Sequence, residues 1–352
     1  MRQSETKPDR APYRYRVEMT KATPFFWMNG ILAHDLLEIS HDPASLQDGG
    51  FWAVSTSFEG EWICARFGTV VDARLPSPTL IWEKIVSPWA TSIDRDAYLE
   101  YVQEIQRQIA SGWVYQVNAC RQLQTPISND VGLLPLMHEM LASNPAPYAS
   151  FMRLPHLEIA SASPELFLSR VGLDVTSGPI KGTNVANDLV FGEKDKAENI
   201  MIVDLIRNDL GKICQPGSVH VPRLLAPEVH PGLTHLVSDI AGTLRPNITW
   251  AEIGRALLPP GSVSGAPKSS ALKVIERNEH HKRGPYCGGL GWVHGEKARL
   301  AVAIRTFWKT GDGFLRFGTG AGITWASDPM KEWDETVLKA ARLISIAGGE
   351  IL

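Results

Sequence analysis

YCGGLGWVHGEKARLAVAIRTFWKTGDGFLRFGTGAGITW, residues 286–325, decides the fold class. YCGGLGWV, ARLAVAIRTFW and FLRFGTGAGITW are dominated by apolar, β-branched and aromatic residues, and HGEK and TGDG between them are short glycine-containing turns. Turns this short join antiparallel neighbours, because a parallel neighbour needs a crossover of about a dozen residues or more. The stretch therefore reads as a three-strand antiparallel meander. Long antiparallel strands with helices gathered elsewhere argue for an α+β fold rather than a doubly wound parallel sheet.

Working outward, residues 51–74 read as a hairpin: FWAVSTSF, a Glu-Gly turn, then EWICARFGTVV. Pro76, Pro78 and Pro88 mark a linker that runs to Asp94, so a boundary falls between an N-terminal region, 1–93, and the remainder, 94–352. Tyr98, Val102, Ile105 and Ile109 recur at helical spacing and end near Gly112. A second helix is expected near Leu133–Ala142, and LEIASASPELFLSRVG reads as strand-rich. Further helices are expected over Lys194–Leu210, stopped by Gly211, after Thr249 and after Lys268. The last follows Ser327-Asp328-Pro329, a capping side chain ahead of a proline in the first turn.

Charge and cysteine usage remove several classes. With 35 Lys+Arg against 38 Asp+Glu, no basic excess points to nucleic acid or an anionic membrane. No run of about 18 apolar residues occurs, which excludes a helical membrane span, and MRQSETKPDRAPYR lacks the apolar core of a signal peptide. Cys64, Cys120, Cys214 and Cys287 form no C-x-x-C pair and read as buried small hydrophobes in a reducing cytosol, so a cytoplasmic protein is expected. His280-His281 lies in the charged stretch ERNEHHKRG and reads as solvated.

Four features carry candidate chemistry. Gly318, Gly320 and Gly322 alternate on a strand, outside any G-x-G-x-x-G or βαβ context, so they suit close backbone approach of a ligand rather than nucleotide binding. In the last helix Glu332, Glu335 and Lys339 share one face, opposite Trp333, Val337, Ala340 and Ile344; Asp195 and Glu198 share a face of the earlier helix. If the two helices meet, four carboxylates converge and repel one another unless a cation lies among them, and an oxygen-only set suits Mg²⁺. The alternative is a solvated charged face. Lys181, held between Pro179 and Gly182 in GPIKGT, could serve as base or nucleophile, and Glu165 in SPE as its acid partner. Arg305 ends the apolar strand AVAIRT, where burial demands either a carboxylate of a ligand or a structural ion pair.

In combination these residues become recognisable. SASPELF (161–167), PIKGT (179–183), KAENIMIVDLIRNDLG (196–211), THLVSDIAGTL (234–244), GSVSGAPK (261–268), RGPYCGGLGW (283–292), AVAIRT (301–306), GAGIT (320–324) and DPMKEWDETVLKA (328–340) resemble, in family order, the chorismate-utilising enzymes. That family includes the large subunits of anthranilate and aminodeoxychorismate synthases, and isochorismate and salicylate synthases. The resemblance covers about residues 94–347 and makes 94–352 the chorismate-binding catalytic domain. It implies large, mainly antiparallel sheets packed as a sandwich with helices outside. Lysine in PIKGT resembles the aminodeoxychorismate form, where anthranilate synthases usually carry alanine; isochorismate and salicylate synthases also have a lysine there, but lack the flanking Pro-Ile and the RNDLG block in this form. The NVAND that follows departs from the family's Arg-x-Arg.

By that resemblance Glu198 and Glu335 hold Mg²⁺ on the ring carboxylate, with Asp195 and Glu332 as direct or water-mediated ligands. Arg305, Tyr286 and the backbone at Gly320 and Gly322 take the enolpyruvyl carboxylate. Lys181 attacks C2 while Glu165 protonates the departing 4-hydroxyl, and ammonia then adds at C4. Lys339, His235, Thr183 and Ser264 line the site, although His235 could equally be structural. None of the four cysteines sits in a glutaminase nucleophile turn, so a separate glutamine amidotransferase subunit is implied as the ammonia source. HDLLEIS (34–40) and NPAPYAS (144–150) resemble the family's tryptophan pocket, with core packing as the alternative.

Overall fold

The computed structural model describes residues 23–185, 188–230 and 233–352; the polar N-terminal stretch and positions 186–187 of NVAND lie outside them. Numbered along the chain, the strands are β1 (Phe25–Met28), β2 (Ile31–Ser40), β3 (Phe51–Thr56), β4 (Trp62–Asp72), β5 (Ala90–Thr91), β6 (Gln116–Pro126), β7 (Ser150–Leu154), β8 (Leu157–Ser161), β9 (Leu166–Val171), β10 (Asp174–Gly178), β11 (Ile180–Val185), β12 (His220–His230), β13 (Leu233–Thr243), β14 (Gly265–Ala266), β15 (Gly289–His294), β16 (Lys297–Val302), β17 (Thr306–Lys309) and β18 (Phe314–Ile323). The helices are α1 (Arg95–Ala110), α2 (Leu134–Ser143), α3 (Glu193–Gly211), α4 (Trp250–Leu257), α5 (Lys268–Asn278) and α6 (Pro329–Ala347).

Pairing between these strands is antiparallel throughout, and it divides into two runs. One runs β4–β2–β1–β7–β8–β17–β18–β6, with β5 and β14 on β6. The other runs β4–β3–β15–β16–β9–β10–β13, with β11 and β12 on β13. Only β4 belongs to both. Alternation of side chains along each strand gives each run two faces. Phe26, Met28, Met152 and Ile159 from the first run pack with Trp52, Val54, Leu168 and Leu290 from the second in the core between them. Phe25, Trp27, Phe151 and Phe307 point the other way, into a second core closed by Leu136 and Met137 of α2 and Ala340 and Ile344 of α6. The α+β sandwich with helices on its outside is thus observed.

The expected three-strand meander is corrected in one respect. ARLAVAIRTFW splits into β16 and β17, which pair in different runs: β16 with β15 and β9, β17 with β18 and β8. The break falls at Arg305, whose φ of 52° is left-handed and turns the chain out of one layer into the other. The hairpin β3–β4 forms as read, with Thr56 opposite Trp62. The helix signals also hold. Asp94 caps α1, Thr249 and Glu252 form a capping box on α4, and Asp328 accepts from the backbone of Met330 and Lys331 ahead of α6.

On α6 the face assignment needs correction. The buried stripe is Glu332, Thr336, Ala340, Leu343, Ile344 and Ala347, so Glu332 lies on the core face rather than beside Glu335 and Lys339. The three-residue step advances 300°, and the 60° between Glu332 and Glu335 is enough to straddle the boundary between core and cavity.

Candidate active site

One cavity of about 530 Å³ gathers most of the residues singled out from sequence. Glu165, Lys181, His235, Tyr286 and Arg305 line it from the strands and their connections; Asp195 and Glu198 line it from α3, and Glu335 and Lys339 from α6. Gly320 and Gly322 of β18 form part of its wall. The two helices do face each other: Lys194 of α3 reaches Glu332 of α6 at 3.5 Å.

Lys181 owes its place to the PIKGT backbone. The β11–β13 register shifts between Ile180 and Thr183, at Gly182, whose φ is 83°. A Cβ there would also press on Asp195, so only glycine lets the strand bulge and α3 approach. Lys181 Nζ lies 2.8 Å from Glu198 Oε1. Burial is the largest single influence and works against its charge, but the Glu198 carboxylate, together with Glu165 and Glu335, outweighs it and moves the pKa up. Glu198 responds in kind: burial opposes its ionisation, yet the lysine holds it below the usual carboxylate range. Gln116 Nε2 donates to the same Glu198 oxygen.

Glu165 is 4% exposed. Burial raises its pKa to about 7, against the Ser262 hydroxyl and the charge of Lys181, which both lower it. A carboxyl half-protonated at neutral pH is suited to general-acid work.

Arg305 sits at the crossover between β16 and β17. Burial pulls its pKa down, and Arg342, also cationic, adds to that. Among the described residues no carboxylate is paired with it, so the structural-ion-pair alternative does not hold here. An unpaired guanidinium in a cavity wall is a ready partner for an anionic ligand.

The alternating glycines are required by protein side chains as much as by a ligand. A Cβ at Gly318 would overlap the Tyr286 ring, one at Gly320 would lie 2.5 Å from Cys120 Sγ, and one at Gly322 would lie 2.8 Å from Glu198 Oε1. Lys339 Nζ donates to Gly320 O at 3.1 Å and pairs with Glu335 at 2.6 Å.

The carboxylate cluster differs from the expectation in detail. Glu332 does not line the cavity; it is 3% exposed and accepts from Ser327 Oγ at 2.6 Å. Glu198 and Glu335 are each neutralised by a lysine, and among the described residues no three acidic, His or Cys side chains group as a ready-made metal cage. The donor set nonetheless fits a magnesium ion. Asp195, Glu198 and Glu335 reach the same cavity from two helices, and Mg²⁺ commonly takes one or two carboxylates and completes its shell with water and substrate oxygens.

Ser264 is fully buried with its hydroxyl on Gly261 O; its neighbours Ser262 and Val263 line the cavity instead. Thr183 is placed through its backbone, opposite His235 in the β11–β13 ladder. His235 is 2% exposed. Asn118, Ser262 and Lys194 line the cavity but were not anticipated. Asn118 sits in the strand VNACRQLQ, where nothing local marks a polar residue as facing a cavity. The two tryptophan-pocket segments flank β1: HDLLEIS lies in β2, and NPAPYAS leads into β7. Leu37 and Ile39 are 61% and 40% exposed, so HDLLEIS is not plain core packing. All four cysteines are buried and free of disulfides, and no described helix is long and apolar enough to cross a membrane.

Residues 59–345 match the chorismate binding enzyme family. The chain belongs to that family. It is 36% identical over 280 residues to anthranilate synthase component 1 of Saccharolobus solfataricus, covering 76% of this chain and 66% of that protein. It is 34% identical over 292 residues to aminodeoxychorismate synthase component 1 of Salmonella typhimurium, covering 80% and 63%. The aminodeoxychorismate synthase component 1 of Bacillus subtilis is 34% identical over 265 residues, covering 72% and 56%. The chain thus spans about two-thirds or less of these relatives' length. Two solved structures share the fold: anthranilate synthase component I from Streptococcus pneumoniae, with TM-score 0.73, 23% identity and 97% and 95% of the two chains covered, and the menaquinone-specific isochorismate synthase of Escherichia coli, with TM-score 0.76, 19% identity and 93% and 89% covered.

Proposed function

We propose that this chain aminates chorismate at C4 to 4-amino-4-deoxychorismate, the activity of an aminodeoxychorismate synthase component I. The observation that carries the reading is Lys181 of PIKGT facing the same cavity as a neutral-range acid, Glu165. A lysine there supplies the nucleophile that an alanine could not. Two of the relatives at 34% identity bear that activity in their names.

In the proposed reaction Arg305 takes one substrate carboxylate, with Tyr286 and the Gly320–Gly322 backbone beside it. The unprotonated Lys181 amine attacks C2, the ring double bond shifts, and the C4–O bond breaks as Glu165 gives its proton to the leaving hydroxyl, releasing water. Ammonia then adds at C4, the double bond shifts back, and the lysine amine leaves; the covalent adduct splits one hard substitution into two allylic ones. Lys181 must first lose its proton. Its charge is sustained chiefly by Glu198, with Glu165 and Glu335 adding to it, so engaging Glu198 elsewhere removes the main support and lets burial pull the pKa down. A magnesium ion at Glu198 and Glu335, with Asp195 nearby, would supply charge neutralisation for the substrate's ring carboxylate.

The same reading assigns ammonia to a separate glutamine amidotransferase subunit and places the protein in the cytoplasm. It makes 94–352 the catalytic domain and leaves 34–40 and 144–150 as a candidate tryptophan pocket, to be read by native mass spectrometry. Purified chain given chorismate, Mg²⁺ and ammonium is expected to form a non-fluorescent aminodeoxychorismate, and to do so with glutamine only after a glutaminase subunit is added. Fluorescent anthranilate as the product would favour anthranilate synthase, whose component 1 is 36% identical. Turnover without ammonium would favour isochorismate formation, and tight chorismate binding without turnover would favour a regulator.

A further inference from the structure

Behind the cavity wall lies a bidentate ion pair that the proposed reaction does not use. Arg283 Nε donates to Glu279 Oε2 at 2.7 Å and Nη2 to Oε1 at 2.6 Å, with both side chains 2% exposed. Two further donors go to the main chain: Nη1 to Val263 O at 3.0 Å and Nη2 to Asn118 O at 2.7 Å. Glu279 Oε1 also accepts from Cys120 N at 3.0 Å and Tyr101 OH at 3.3 Å. The guanidinium stacks 4.1 Å over the Phe58 ring.

Three segments are joined in this way, and each presents residues to the cavity: β6 through Asn118, the 261–264 turn through Ser262 and Val263, and the run from Arg283 to Tyr286. Ser262 lines the cavity with Glu165, and its hydroxyl lowers the pKa of that carboxyl. Stability alone does not call for such a pair, because well-packed apolar residues often replace a buried ion pair without loss. A planar fork that reaches two carbonyls and a carboxylate at once is what Arg offers and a lysine ammonium does not.

We propose that Arg283 is a positioning residue for the acid step: its fork fixes the Ser262–Val263 turn against Asn118 and so keeps the Ser262 hydroxyl in the cavity wall beside the Glu165 carboxyl. The kinetic consequence rests on the amination reading; the geometric one does not. The test compares wild type with R283K and with the R283M/E279M double variant, which removes both charges together. Where the double variant folds poorly, R283K carries the comparison, since it keeps the charge and most of the volume.

The expected result is kcat lower by about 10²-fold, the usual cost of a 1 Å misplacement, with the chorismate KM within about twofold. Moving the Ser262 hydroxyl away should also shift the Glu165 titration to higher pH, because Ser262 lowers that pKa. Lys181 of β11, the charged group acting on Glu165, is untouched by these changes. Infrared titration of the Glu165 carboxyl, with E165Q as blank, reads that displacement without turnover. A surface groove borders the pair at Phe58, Glu279 and Arg283, and truncating the arginine opens its site to that groove, so millimolar guanidinium should restore much of the activity of R283A. A wild type that forms no aminodeoxychorismate would remove the amination reading, while the infrared arm would still decide the positioning role. An unchanged Glu165 titration in R283K and in the folded double variant would overturn the proposal, and so would wild-type kcat in both.

Discussion

Replacing Arg305 by Met should separate folding from binding, because it alters one charge and little shape. Arg305 is half-buried in the cavity wall, has no carboxylate partner among the described residues, and has its pKa pulled down by that desolvation. A buried charge without a counterion costs the ligand-free protein free energy. Met keeps the aliphatic stem, so packing is largely conserved. The ligand-free variant should therefore be as stable as wild type or up to about 2 kcal/mol more stable, a part of the gain seen when buried ionic groups are made apolar. Chorismate binding should move the other way. Removing one partner of a desolvated charge pair costs about 2–5 kcal/mol, or roughly 30- to 5,000-fold in affinity. Thermal melts without ligand and calorimetric titration with chorismate measure the two quantities on one sample. A variant that melts well below wild type yet binds chorismate normally would refute the argument, since Arg305 would then serve the fold and not the ligand.

Lys181→Ala should lower aminodeoxychorismate formation by about 10²–10⁴-fold with the fold intact by circular dichroism; near-wild-type turnover removes it from the mechanism. Glu165→Gln should abolish the loss of kcat that wild type shows as pH rises through about 7, where the carboxyl gives up its proton. The sign for stability follows from the same shift. A folded pKa above the usual 4.5 means the native state holds the proton longer, so wild type loses stability relative to Glu165→Gln as pH rises from about 4.5 to about 7. Glu198→Gln should weaken the dependence of activity on Mg²⁺, and it should let burial drop the Lys181 pKa, visible as a reaction with an amine-specific reagent at lower pH than in wild type.

Reading the sequence reached the fold wherever local chemistry was decisive. The hairpin β3–β4, the caps at Asp94, Thr249 and Asp328, and the stop of α3 near Gly211 are each dictated by residues within a few positions of one another. The crossover at Arg305 was not legible, because AVAIRTFW is continuous in pattern and only the pairing of β16 with β9 and β17 with β8 breaks it. Lys181, Glu165 and Arg305 were found through motif and chemical oddity. Asn118 and Ser262 were missed because their role depends on which face of a strand or turn meets a cavity built from distant segments. Glu332 was misplaced for a related reason: spacing fixes an angle around a helix axis, not the line at which core gives way to solvent.

The sharing of β4 between the two runs, and the pairing of β3 with β15, bear on how the chain emerges during synthesis. Val54 of β3 waits for Gly291 of β15, and Trp27 of β1 waits for Phe151 of β7. At about 5–20 residues per second, the roughly 240 residues between β3 and its partner take about 12–48 s to be made. For that interval the N-terminal hairpin presents an apolar strand edge with no neighbour, a template for pairing with another nascent chain. Yield of this protein should therefore fall as polysomes become denser and rise with slower initiation or more trigger-type chaperone, with no change to the finished fold.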